Sequence, residues 1–271
     1  MITFNIQTLL LGVIQGLCEF LPVSSSGHLA LAQIFFGLES EGLLAFDLIL
    51  HCATMLAVLL FFWKDLGVLA MEWLAGWGSA EGRKREGWGY GWGILAASIV
   101  TALVAFPLKD LVERAMSSPV TVGYGLLVTA GLLFAVSMFP DGRKKLFMGA
   151  ALFVGLAQGL AVFPGVSRSG ATIVAGLFVG LGVQEAFRFS FLVSIPAIVG
   201  ASLLEGRELL QNASLAVLPD GWLWAAFVAF LLGWVALLLL RRLVLAGRWR
   251  LFGVYCLTLG SLAVLLGNGV L

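Results

Sequence analysis

The chain has 271 residues with 16 Lys and Arg against 15 Asp and Glu, a net charge of +1. Only 11% of residues are charged, where a soluble domain carries about 25%; the hydrophobic set reaches 61%, with 34 glycines besides. This composition excludes a soluble globule, a disordered chain, a disulfide scaffold and a fibrous repeat, and the near-neutral charge gives no support to nucleic-acid binding.

A polytopic helical membrane protein remains. A membrane span needs about 20 apolar residues. The first apolar region, 4–37, is interrupted at Pro22-Val-Ser-Ser-Ser-Gly27, and the half-segment after the break, 28–37, is too short to cross. Runs at 43–63, 88–107 and 119–139 are long enough for full spans. A second interrupted region, 147–181, breaks at Pro164-Gly-Val-Ser-Arg-Ser-Gly170 and leaves the short half-segment 171–181. Three more spans follow at 185–204, 221–240 and 251–270. Proline, glycines and hydroxyls at membrane depth suit re-entrant loops, where irregular backbone is buried in protein or lines a wet cavity. The predicted fold is all-α, with six transmembrane helices plus two re-entrant broken-helix hairpins. Cys18, Cys52 and Cys256 lie far apart in apolar runs and are expected to pack as small apolar residues.

No Lys or Arg precedes Lys64, so no cleavable signal is expected. If both broken regions enter and leave on one side, six spans sort the basic residues. One side collects Lys64, Arg83, Lys84, Arg85, Arg143, Lys144, Lys145, Arg241, Arg242, Arg248 and Arg250; the other collects Lys109, Arg114 and Arg207. The first side is then cytoplasmic, and both termini face outside. Arg168 and Arg188 lie in membrane-depth segments.

The two broken regions align without a gap at an offset of 143, with 13 identities over the 32 positions from 15 to 46. Gln15-Gly16-Leu17 matches Gln158-Gly159-Leu160, Val23-Ser24 matches Val166-Ser167, and Ser26-Gly27 matches Ser169-Gly170. Three spans separate the copies, so the second copy is inserted upside down. One membrane domain of two inverted repeats is expected, 1–140 with the hairpin 4–37 and 141–271 with the hairpin 147–181. Such repeats place broken helices face to face near the midplane, where substrate binds.

Charge at membrane depth marks function by default, and Glu19, His28 and Arg168 all lie in or beside the breaks. In the second break, Arg168 offers a planar fork for phosphate oxygens. Ser167, Ser169 and Thr172 add hydroxyls at the N-terminus of the following half-helix. The bland alternative is that the serines only cap that helix and Arg168 pairs with Glu19. In the first break, Gln15 and Glu19 are i,i+4 neighbours on one helix face, Pro22 ends that helix, Ser24, Ser25 and Ser26 begin the next, and His28 sits in its first turn. A carboxylate, an imidazole and hydroxyls are the parts of a hydroxyl–His–carboxylate relay. Asp47, His51 and Arg188 read as interface-facing, paired or supporting residues.

With these residues in place, the chain resembles the undecaprenyl-diphosphate phosphatase (bacitracin-resistance) family. The resemblance rests on Gln15-Gly-Leu-Cys-Glu19-Phe-Leu-Pro-Val-Ser-Ser-Ser-Gly-His28 and on Pro164-Gly-Val-Ser-Arg168-Ser-Gly-Ala-Thr172. Phe189-Ser-Phe-Leu-Val-Ser-Ile-Pro196 and the run from Phe46 to Asp65 add to it. It implies an integral enzyme of the bacterial inner membrane that removes the terminal phosphate of a C55 isoprenyl diphosphate, returning the lipid carrier to cell-wall synthesis and conferring bacitracin resistance. Ser25 would be nucleophile or phosphate ligand, and His28 the acid/base or an alternative nucleophile. Glu19 would orient His28 or hold a divalent cation, Mg or Ca. Arg168 would bind phosphate, with Ser24, Ser26, Ser167, Ser169 and Thr172 around it and Gln15 in support. The family's first motif position is Glu or Gln; Gln15 leaves one carboxylate there rather than two. His51-Cys52-Ala53 departs from the expected Gln/His-Leu-Gly. The expected partners are the lipid bilayer and the isoprenyl diphosphate, with no nucleic acid; homo-oligomerisation stays open. The competing class is a secondary transporter or flippase for an anionic lipid, which would need the anion site and no nucleophile.

Overall fold

The computed structural model describes residues 5–38, 43–139, 142–211 and 218–270. The start of the first broken segment at residue 4 and the repeat boundary at 140–141 lie outside the described residues. Among these residues the chain is all helix, with short connections and one isolated bridge between Lys144 and Leu181.

The first broken segment folds as α1 (Ile6–Cys18) and α2 (Ser25–Phe36). Asn5 caps α1 by accepting from the Gln7 amide, and Gly37, at φ 62°, supplies the left-handed turn that ends α2. Then come α3 (Leu43–Phe61), α4 (Trp63–Gly78), α5 (Glu86–Ala105), α6 (Lys109–Met116) and α7 (Pro119–Ala135). The second broken segment folds as α8 (Met148–Leu160) and α9 (Arg168–Phe178). The chain closes with α10 (Val183–Gln211), α11 (Trp222–Leu245) and α12 (Trp249–Gly267).

Five helical stretches are long and apolar enough to cross a membrane: Leu43–Phe61, Glu86–Met116, Val183–Arg207, Trp222–Leu245 and Trp249–Gly267. The protein is a polytopic helical membrane protein. The sixth expected span, 119–139, forms the 17-residue α7, prolonged by a 3-10 turn at Val136–Met138.

Two helices were not expected from apolar runs. α6 follows α5 through a 3-10 turn at Phe106–Leu108. α4 contains Lys64, Asp65 and Glu72, which break the apolar window without breaking the helix. It packs on the start of α5, where Trp73, Trp77, Trp88 and Trp92 meet with ring centroids 5.7–6.2 Å apart. Arg188 at the start of α10 ties the same corner, pairing with Asp65 at 2.8 Å and Glu86 at 3.0 Å and lying over the Tyr90 ring. It is thus a paired residue, one of the three readings open to it in the sequence.

The helices before the two breaks pack alike. α1 lies on α11 through Gly16, where an added Cβ would meet Ala229 O at 2.7 Å; α8 lies on α5 through Gly159, where it would meet Val104 Cβ at 2.7 Å. Gly16 and Gly159 are 143 residues apart, and small residues at such crossings let backbones approach without bulk between them. The two breaks are thereby carried into the middle of the bundle, above a core that includes the fully buried Phe20, Phe46, Phe189 and Phe191.

Candidate active site

Each break is built by the same local chemistry. Ser24 caps α2 by accepting from the Gly27 amide, and Ser167 caps α9 by accepting from the Gly170 amide. In each, the capping hydroxyl also reaches a second serine two residues on: Ser24 Oγ to Ser26 Oγ at 3.3 Å, Ser167 Oγ to Ser169 Oγ at 3.2 Å. The breaks press on each other. A Cβ on Gly27 would lie 2.9 Å from Gly165 backbone, and one on Gly170 would lie 3.3 Å from Pro22 Cβ. Ser24 is held at φ 69°, the one non-glycine residue with positive φ among those described.

This contact brings the first residues of α2 and α9, Ser25 and Arg168, to one carboxylate. Ser25 Oγ donates to Glu19 Oε2 at 2.6 Å, and Arg168 Nη2 donates to Glu19 Oε1 at 2.7 Å. Gln15 Nε2 adds a third bond to Oε2 at 3.0 Å and reaches Thr54 Oγ1 at 3.4 Å. The Glu19 side chain is 4% exposed and Arg168 19%. Burial of a carboxylate is tolerated here because donors and a cation surround it. Arg168 Nη1 is buried and has no hydrogen-bond partner among the described residues.

The other expected site residues divide. His28 lies in the first turn of α2, but the expected chain from Glu19 through His28 to a serine is not formed. Its Nδ1 donates to Ser24 O at 2.7 Å, and its Nε2 meets Tyr255 Oη at 2.6 Å, because α2 turns that face toward α12. The serine is bonded to the carboxylate directly. Thr172 is fully buried, donating to Arg168 O and facing Ser190, so it braces α9 rather than presenting a hydroxyl to the break. Ser169 donates to Leu21 O across the two breaks, and the Ser167 amide donates to Thr129 Oγ1. Thr129 in turn donates to Gly165 O at 2.8 Å, pinning the second break to α7. Thr54, Thr129 and Tyr255 were not singled out from sequence. Their partners are 36 to 227 residues away, and an isolated hydroxyl in an apolar span carries no signal of that.

The donor set does not fit a dedicated divalent-cation site. Among the described residues no group of three or more His, Cys, Asp or Glu side chains is placed to hold a metal, and both oxygens of Glu19 are engaged. What the arrangement can do is hold a serine hydroxyl against a base while an arginine nitrogen and two helix N-termini face an anion.

Comparison with known proteins agrees in extent. The model of the bacitracin resistance protein BacA family matches residues 8–262. The chain is 44% identical to the undecaprenyl-diphosphatase of Desulfosudis oleivorans over 279 residues, covering 97% of this chain and 98% of that protein. It is 42% identical to that of Desulforapulum autotrophicum, covering 96% and 98%, and 37% identical to that of Methanosphaera stadtmanae, covering 96% and 97%. A match of this length, carried on motifs that form one buried constellation, places the chain in the bacitracin resistance BacA family.

Proposed function

We propose that this protein is an integral membrane undecaprenyl-diphosphatase. It hydrolyses undecaprenyl diphosphate to undecaprenyl phosphate and inorganic phosphate, and so recycles the lipid carrier of cell-wall synthesis. The observation that carries the site assignment is the convergence of Ser25 and Arg168 on Glu19, with Arg168 Nη1 left over. Nη1 and the N-terminal amides of α2 and α9 receive the terminal phosphate. Ser25 Oγ attacks the terminal phosphorus as its proton passes to Glu19 Oε2. The bridging P–O bond breaks and undecaprenyl phosphate leaves; water then releases phosphate from the serine. The apolar tail stays in lipid while the head enters the break.

The topology that suits this reaction is six spans and two re-entrant hairpins, α1–α2 and α8–α9, in inverted repeats at 1–140 and 141–271. Both termini face outside in the inner membrane. The matched caps of Ser24 and Ser167 and the matched crossings at Gly16 and Gly159 support the repeat. A transporter or flippase has use for the arginine but none for a serine hydroxyl bonded to a buried carboxylate. The test is phosphate release from undecaprenyl or farnesyl diphosphate by purified protein in detergent. Ser25→Ala is expected to lower kcat on the order of a thousandfold while the protein still folds. Full activity in that variant refutes the assignment.

A further inference from the structure

The chain has two histidines, and both are built the same way. Each donates Nδ1–H to the backbone carbonyl four residues earlier: His28 to Ser24 O, and His51 to Asp47 O at 3.0 Å. A carbonyl has no proton to give, so in each neutral ring Nδ1 carries the hydrogen and Nε2 keeps the lone pair. The difference lies in what Nε2 meets. In His28 it takes the Tyr255 hydroxyl. In His51 it faces Glu19 Oε2 at 3.8 Å, the same oxygen that Ser25 Oγ bonds at 2.6 Å.

We infer that His51 is a proton-relay residue acting through Glu19. It takes from Oε2 the proton that Ser25 delivers and passes it to water, so that the carboxylate is ionised again for the next turnover. The inference rests on the Ser25–Glu19 reading above. The proton balance is simple. The Ser25 O–H bond breaks and an O–H bond forms on Glu19. That bond then breaks as N–H forms on His51 Nε2, while Nδ1–H stays on Asp47 O. The imidazolium next gives its Nε2 proton to water.

Exposure supports the direction. The Glu19 side chain is 4% exposed, whereas that of His51 is 33% exposed. The electrostatic surroundings support the same path. Arg168 of α9 neutralises the other oxygen of Glu19. One turn earlier on α3, the Asp47 carboxylate accepts from Gln33 of α2 at 2.9 and 3.0 Å, with Glu205 of α10 in electrostatic reach of it.

The test is chemical rescue. His51→Ala is expected to lower kcat about a hundredfold with KM close to wild type, since the relay acts after binding. Added imidazole is expected to restore about a tenth or more of the lost rate. A series of substituted imidazoles should restore it in order of their basicity. A purely structural role predicts neither. Where His51→Ala lowers the melting temperature, His51→Gln keeps bulk and polarity without a titrating nitrogen and should show the same kcat loss. Wild-type kcat in either variant, or a loss that imidazole does not rescue in a protein that melts normally, overturns the relay. An active Ser25→Ala protein overturns the site reading beneath it instead.

Discussion

Arg168 has two duties in this structure, and a substitution series separates them. Its Nη2 bonds Glu19 at 2.7 Å, and its Nη1 is buried and unpartnered. Arg168→Lys keeps the charge but offers a point donor that cannot serve Glu19 and a phosphate oxygen at once. One charge-assisted hydrogen bond is worth about 1.5–3 kcal/mol. At about 1.4 kcal/mol per tenfold, kcat/KM should fall roughly 10- to 150-fold with the fold intact. Arg168→Ala does more, because it strands a carboxylate that is 4% exposed. Removing one partner of a buried pair costs about 3–5 kcal/mol, which should appear as a large drop in melting temperature in detergent. Glu19→Gln in the Arg168→Ala background removes the stranded charge, so the double variant should recover much of that stability and none of the activity. The assays are phosphate release and thermal unfolding on the same preparations. If Arg168→Lys stays within about threefold of wild type, or if the double variant is no more stable than Arg168→Ala alone, the shared pairing is not what holds the breaks together.

Two further substitutions probe how the breaks are held. Gly27→Ala places a methyl 2.9 Å from Gly165 backbone, which cannot move as a side-chain tip would. A stability loss of about 1–3 kcal/mol together with loss of phosphate release is expected, and a wild-type melting curve would contradict the close approach. Thr129→Val removes the acceptor of the Ser167 amide and the donor to Gly165 O. It should cost about 1–3 kcal/mol in thermal unfolding and reduce activity by loosening α9, while Thr129→Ser should retain both.

The parts of the site that were legible in the sequence are the parts made by local chemistry. Pro22 and Pro164 end apolar runs, Ser24 and Ser167 cap the helices that follow, and the matched spacing of 143 residues paired the two breaks. Gln15 and Glu19 were placed on one face by helix periodicity, and their hydrogen bond follows from that. The pairing of Arg168 with Glu19 stood among the alternatives, and it is formed. Only nine positions separate His28 from Glu19, which makes it the expected neighbour in one break. The positive φ of Ser24 and the course of α2 send it toward α12 instead. His51 lies outside the breaks in sequence, and a packing of α3 against α1 cannot be read from either helix alone. Helix α4 was missed for a different reason. An apolar-window reading stops at Lys64 and Asp65, whereas a helix needs only that its charged residues find water or partners, and Asp65 has Arg188.

The placement of Arg168 also bears on how the molecule is made. Glu19 leaves the ribosome 149 residues before its guanidinium partner. Through most of synthesis the carboxylate therefore lacks the cation that makes its burial affordable. It must stay protonated or wetted until the α8–α9 break arrives. The break α1–α2 thus cannot reach its final packing early, and insertion of the second half completes the first. A truncated chain ending before Arg168 would leave Glu19 without the guanidinium it pairs with in the complete fold.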